Sequence, residues 1–202
     1  MDIVLQVWGG GFYLLNKIFF AFSETKIAEE NRRLKMFAWS AFIIGVPAWL
    51  IILVGQNNWI AASVEVGGVP AMLLGLYNTY HNSQKPSRLF NKSVTVCTYS
   101  SLVFGLVYSL QYHMGITSLT QILEMGVMLG FLFGSYLMAK NNPRGWLFFM
   151  LMNLSMASLM FLQGKVILML QQLLSLCFVI YGFKKSSNPV SKKASTKLNR
   201  TS

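Results

Sequence analysis

Five side chains able to exchange protons or hydrogen bonds lie inside apolar stretches of this 202-residue chain: Glu65, Glu124, Asn153, Gln171 and Gln172. Within a bilayer such groups are costly and face a bundle interior or a watery cavity. The two carboxylates can hold a proton or a positive charge. The three amides offer donors and acceptors that could replace the hydration shell of a polar solute. Aromatic rings able to pack against a planar solute occur in the same kind of segment: Trp39, Trp49, Phe148, Phe149 and Tyr181. For any one Asn or Gln the plainer alternative is a hydrogen bond between helices, worth about 0.6–2 kcal/mol. For Glu65 and Glu124 it is a protonated structural carboxyl.

Little supports other chemistry. His81 and His113 belong to turns at opposite ends of the expected helices, and no Cys/His cluster has metal-ligand spacing. Neither a G-x-S-x-G nor a P-loop pattern occurs, and no His lies at depth to activate a Ser. The chain is read as non-enzymatic, without cofactor or metal. Cys97 and Cys177 lack disulfide or metal spacing and are expected in the core.

The elements that must position these residues are helices in a membrane. Hydrophobic residues make up 54% of the chain and charged ones only 11%, against about 25% in soluble domains; mean hydropathy is +0.50. About 20 apolar residues cross a hydrocarbon core, and seven stretches qualify: 3–22, 36–54, 59–80, 94–112, 116–138, 145–162 and 166–183. Asp2 at the start is unlike a cleavable signal and predicts a retained first helix. Lys17, near the inner end of that helix, is expected to snorkel to the headgroups.

Charge orders these spans. Segments 23–35, 81–93 and 139–144 and the tail 184–202 together carry fifteen Lys and Arg, whereas the alternate connections carry one, Lys165. Short basic loops stay on the cytoplasmic side, which predicts an inner-membrane protein with its N-terminus outside and C-terminus inside. The basic tail is expected to meet anionic lipid headgroups, not nucleic acid.

Spans 2 and 3, joined by "GQNN", resemble spans 6 and 7, joined by "QGK"; each hairpin follows a basic segment and ends near a tyrosine, Tyr77 or Tyr181. Span 1 echoes span 5, with Gln6 and Gln121 ahead of glycine clusters. The expected fold is all-α: seven transmembrane helices as two parallel three-helix repeats (1–80 and 116–183) around a linker helix (94–112), in a 3+1+3 order. Such repeats place a binding site at their interface near the midplane. At about 1.5 Å per residue, Glu65, Glu124, Gln171 and Gln172 lie about 8–12 Å in from one face, and Asn153 about 12 Å in from the other. Pro47, Pro70 and "GGVP" at 67–70 mark a kink, a hinge or close packing of small residues.

The stretch from "LMAKNNPRGW" to "LCFVIYGFKK", with Trp146, Asn153, Gly164, Tyr181 and Gly182 in its pattern, resembles the PnuC family of bacterial vitamin transporters. The resemblance implies facilitated uptake of nicotinamide riboside, or of a related vitamin such as thiamine or riboflavin. Span 3 departs from the family by reading "LLGLYNTYHN" without a tryptophan pair. The binding residues expected are Asn153, Gln171 and Gln172 as hydrogen-bonding groups and Trp39, Trp49 and Tyr181 as ring contacts, with Glu65 and Glu124 as charge partners. Two further functions fit the same features: a SWEET-like sugar carrier, and a non-transporting membrane protein that docks or assembles with a partner. A homo-oligomer is compatible with each. For the orientation, a fluorescent protein fused after Ser202 is expected to fluoresce in a bacterial host, and alkaline phosphatase at the same point to stay inactive. The reverse pattern would invert the topology.

Overall fold

The computed structural model describes residues 2–55, 59–81, 88–112, 114–115 and 118–187. They form seven helices: α1 (Asp2–Ser23), α2 (Ala28–Gly55), α3 (Trp59–Tyr80), α4 (Arg88–Tyr112), α5 (Leu119–Ala139), α6 (Gly145–Leu162) and α7 (Val166–Ser187). Each expected span falls on one of them. Five, α1, α2, α5, α6 and α7, are long and apolar enough to cross a membrane. Residues 56–58, Lys85, His113 and most of the basic tail, with Lys192, Lys193, Lys197 and Arg200, lie outside the described residues.

The helices pack in a closed order. α1 lies against α2, α2 against α3, α3 against α5, α5 against α6, α6 against α7, and α7 returns to α1; α4 lies against α3 and α5. The segment expected as a basic loop at 23–35 proves largely helical, because α2 begins at Ala28. Glu29 and Glu30 in its first turn suit the positive end of the helix dipole. The ion pairs Lys26–Glu30 (3.2 Å) and Lys35–Glu24 (3.6 Å) lie beside them. Asn31 Nδ2 also donates to the Ser23 carbonyl at 2.5 Å, satisfying a terminal acceptor of α1.

Two tryptophans fix the packing at one end of the bundle. The Trp39 indole of α2 lies directly on Gly75 of α3, and the Trp146 indole of α6 directly on Gly182 of α7. A Cβ at either glycine would collide with the ring. Trp146 follows Trp39 by the same interval at which Gly182 follows Gly75. Burial repeats at that interval: Ala61, Glu65, Gly68, Met72 and Gly75 are buried on α3, and Leu168, Gln172, Ser175, Val179 and Gly182 on α7.

The glycines of "GGVP" mark close packing. Gly67 faces Ser101 of α4, Gly68 faces the Phe131 ring of α5, and α3 continues unbroken through Pro70. The expected core position of the two cysteines is not met: Cys97 and Cys177 are exposed. Their neighbours Val94, Thr98, Ser175 and Val179 take the buried positions of those helices, leaving the thiols on outward faces. Replacing Gly75 by Leu is expected to displace Trp39 and destabilise the protein by roughly 1–3 kcal/mol, as overpacking does. A lowered melting temperature in detergent checks this, and an unchanged one refutes the contact.

Candidate functional site

The inward stripe of α1 is more polar than a packing face requires. Tyr13, Asn16, Lys17 and Phe20 recur at helical spacing and all are buried. Lys17 is only 1% exposed, which overturns the expectation that it snorkels. It sits about 9 Å short of the end of α1, and its ammonium turns inward, 3.3 Å from the centre of the Phe149 ring and 4.7 Å from that of Phe42. The negative faces of two rings therefore take the place of water around the cation.

Glu65 is a second buried ionisable group. It is 3% exposed on α3, and the Tyr13 hydroxyl donates to its Oε2. Among the described residues Lys17 and Glu65 make no direct ion pair, and Lys17 Nζ has no hydrogen-bond partner. The Tyr13 ring meets Phe42 edge-on with centroids 4.9 Å apart and lies 5.5 Å from Trp49. Phe42 in turn contacts Phe131 and Phe149, so one ring of α2 joins residues from α1, α5 and α6.

Several other buried polar atoms on α1, α2, α6 and α7 have no partner. Asn153, fully buried on α6, donates through Nδ2 to the Phe149 carbonyl at 2.7 Å, leaving Oδ1 free. Asn16 donates to the Ala38 carbonyl at 2.9 Å, and its Oδ1 is likewise free. Trp49 Nε1 and both amide atoms of Gln171 are buried and unpaired, the Gln171 amide lying against Gly10 of α1. Each such atom costs about 1–3 kcal/mol if nothing satisfies it. Four helices, α1, α2, α6 and α7, thus present unsatisfied donors and acceptors in the interior.

The expected binding residues separate into two sets. Trp39, Trp49, Glu65, Asn153 and Gln172 are fully buried and Gln171 is partly so. Tyr181 is 38% exposed, beside Phe22 and Lys185, and so lies on an outward face of α7. Glu124 is half-buried on α5, ahead of the buried stretch that starts at Val127. Tyr13, Asn16, Lys17 and Phe42 were missed, although a Tyr/Asn/Lys stripe on one face of an apolar helix was the available signal.

A cavity of about 510 Å³ opens where α1, α3, α5 and α7 end and α2 and α6 begin. Phe20, Trp39 and Trp146 line it. Phe20 meets both indoles edge-on, at 4.9 Å and 6.4 Å between centroids. Trp39 stacks on Phe42 at 6.3 Å, so one aromatic layer separates the cavity from Lys17.

Comparison of the chain with family models, curated proteins and solved structures finds no match. Lys17→Met is expected to lower stability by up to about 3–5 kcal/mol, because removing one of two buried ionisable partners leaves the other uncompensated. Glu65→Ala is expected to do the same, and it also strands the Tyr13 hydroxyl. The Lys17→Met/Glu65→Leu double variant is expected to recover part of that loss; melting in detergent checks the three, and a double variant no more stable than Lys17→Met contradicts the coupling.

Proposed function

We propose that the protein is a membrane transporter for a small, polar, ring-bearing solute, bound between two helix bundles at the level of Lys17, Glu65 and Asn153. The observation that carries this reading is the set of unpartnered buried polar atoms, Asn16 Oδ1, Lys17 Nζ, Trp49 Nε1, Asn153 Oδ1 and the Gln171 amide. An interior built only for stability would pair them. A solute able to satisfy them would be held by amides and a charge, with Phe42, Phe149 and Trp49 as ring surfaces.

The 3+1+3 arrangement is supported by the packing order. If α1 to α3 correspond to α5 to α7, the contact of α3 with α5 corresponds to that of α7 with α1, and both occur. The Trp39–Gly75 and Trp146–Gly182 contacts and the shared burial interval support the same pairing. At that interval Glu65 corresponds to Gln172, so each half would contribute one buried polar side chain from its third helix. Between two such halves, the cavity of about 510 Å³ is the size expected of a small-ligand access path. Rocking of the halves would open the Phe20, Trp39 and Trp146 layer.

Nicotinamide riboside or a related vitamin precursor is the first solute to test, on the resemblance of the C-terminal hairpin to the PnuC family. The charge bias of the loops supports an inner-membrane protein with this cavity facing the cytoplasm. Labelled nicotinamide riboside is expected to enter proteoliposomes saturably, with thiamine as competitor, and the Asn153→Ala/Gln171→Ala double variant to lose at least about tenfold of the rate, as for about 1.4 kcal/mol of lost binding. No uptake by folded, inserted protein would remove the vitamin assignment. Full uptake by the double variant would remove the interior site.

A further inference from the structure

The cavity wall is divided between charge and rings. Arg32, Lys35 and Lys140 supply cations on one side, and Phe20, Trp39 and Trp146 supply an apolar surface. Lys35 is paired with Glu24, itself a lining residue, and the Lys140 ammonium donates to the Tyr136 hydroxyl at 2.5 Å. Arg32 has no ion pair among the described residues. Ala28, the first residue of α2, also lines the cavity, and the positive end of the helix dipole adds to the field there.

A second, independent feature points to a ligand. Asn78, only 5% exposed, lines the same cavity. Its Nδ2 donates to the Ala139 carbonyl at 2.9 Å, and its Oδ1 is buried without a partner. A turn of the Asn78 side chain toward the cavity would let that oxygen accept from a hydroxyl or an N–H of a guest. A guest suited to all three features has an anionic group for Arg32, a donor for Asn78 and a ring or apolar body for the indoles. Phosphate is an anion that suits the Arg32 guanidinium, and Lys35 and Lys140 line the same cavity.

We propose that this vestibule is a phosphate-recognition site, taking a phosphate ester that carries a hydroxyl or N–H donor and an apolar or ring-bearing body. The ester group could belong to a soluble metabolite of nucleotide type or to an anionic phospholipid whose headgroup reaches the end of the bundle. This site lies one aromatic layer outside the Lys17 group and goes beyond the transport reading, since equilibrium binding there requires no translocation.

The test is calorimetric titration of the full chain in neutral detergent. Adenosine monophosphate, adenosine, inorganic phosphate and short-chain phosphatidylglycerol serve as probes. Adenosine monophosphate is expected to bind at least about tenfold more tightly than adenosine, and the Arg32→Gln/Lys140→Gln variant to lose that preference. Asn78→Leu is expected to weaken adenosine monophosphate without changing the response to inorganic phosphate. Should phosphatidylglycerol bind with the same Arg32 dependence and adenosine monophosphate not bind, the source of the phosphate is lipid. Binding of neither probe, or binding indifferent to the phosphate or to the double variant, overturns the proposal. The melting temperature of each variant confirms that it is folded.

Discussion

The interior of this bundle has to accommodate two ionisable side chains. Lys17 and Glu65 are buried, and a lone ion in such surroundings is too costly to keep. Much of the packing around them answers that cost. Phe42 and Phe149 turn their faces to the ammonium, and Tyr13 gives its hydroxyl to the carboxylate. Gly45 leaves the room that the Tyr13 ring needs against α2. Residues from α1, α2, α3 and α6 are thereby committed to one arrangement, and the aromatic contacts from Phe42 extend it to α5.

The charged group and the vestibule are stacked along the bundle and use different parts of the same helices. α1 contributes Lys17 to the first and Phe20 to the second; α2 contributes Phe42 and then Trp39. A helical turn separates the members of each pair. A movement of α1 against α2 would therefore be felt in both places, which gives a physical route by which occupancy of one could alter the other.

Helix placement was legible from apolar runs, and the seven expected stretches fall on helices among the described residues, although only α1, α2, α5, α6 and α7 are long and apolar enough to cross a membrane. The start of α2 was not. Residues 28–35 are polar and basic, and a hydropathy criterion reads them as loop, whereas acidic residues at the helix start and local ion pairs favour helix there. Burial of Asn153, Gln172 and Glu65 was legible from their position in apolar runs. Lys17 was misread because a lysine near a span end has two options, and sequence does not reveal the rings that favour the inward one. Tyr181 was misplaced for a related reason: its helix has Val179 and Gly182 on the buried side, and the tyrosine falls between them in sequence but not on that face.

The seating of each tryptophan on a glycine of its own hairpin has a kinetic consequence. Trp39 is held by α3 and Trp146 by α7, so the two indoles at the cavity floor are leaves hung on separate frames, with Phe20 in ring contact with both. Double doors of this kind can swing one at a time. An opening that needs only one leaf has a lower barrier than one requiring both, and a half-open intermediate would admit a narrow molecule while still refusing a broad one.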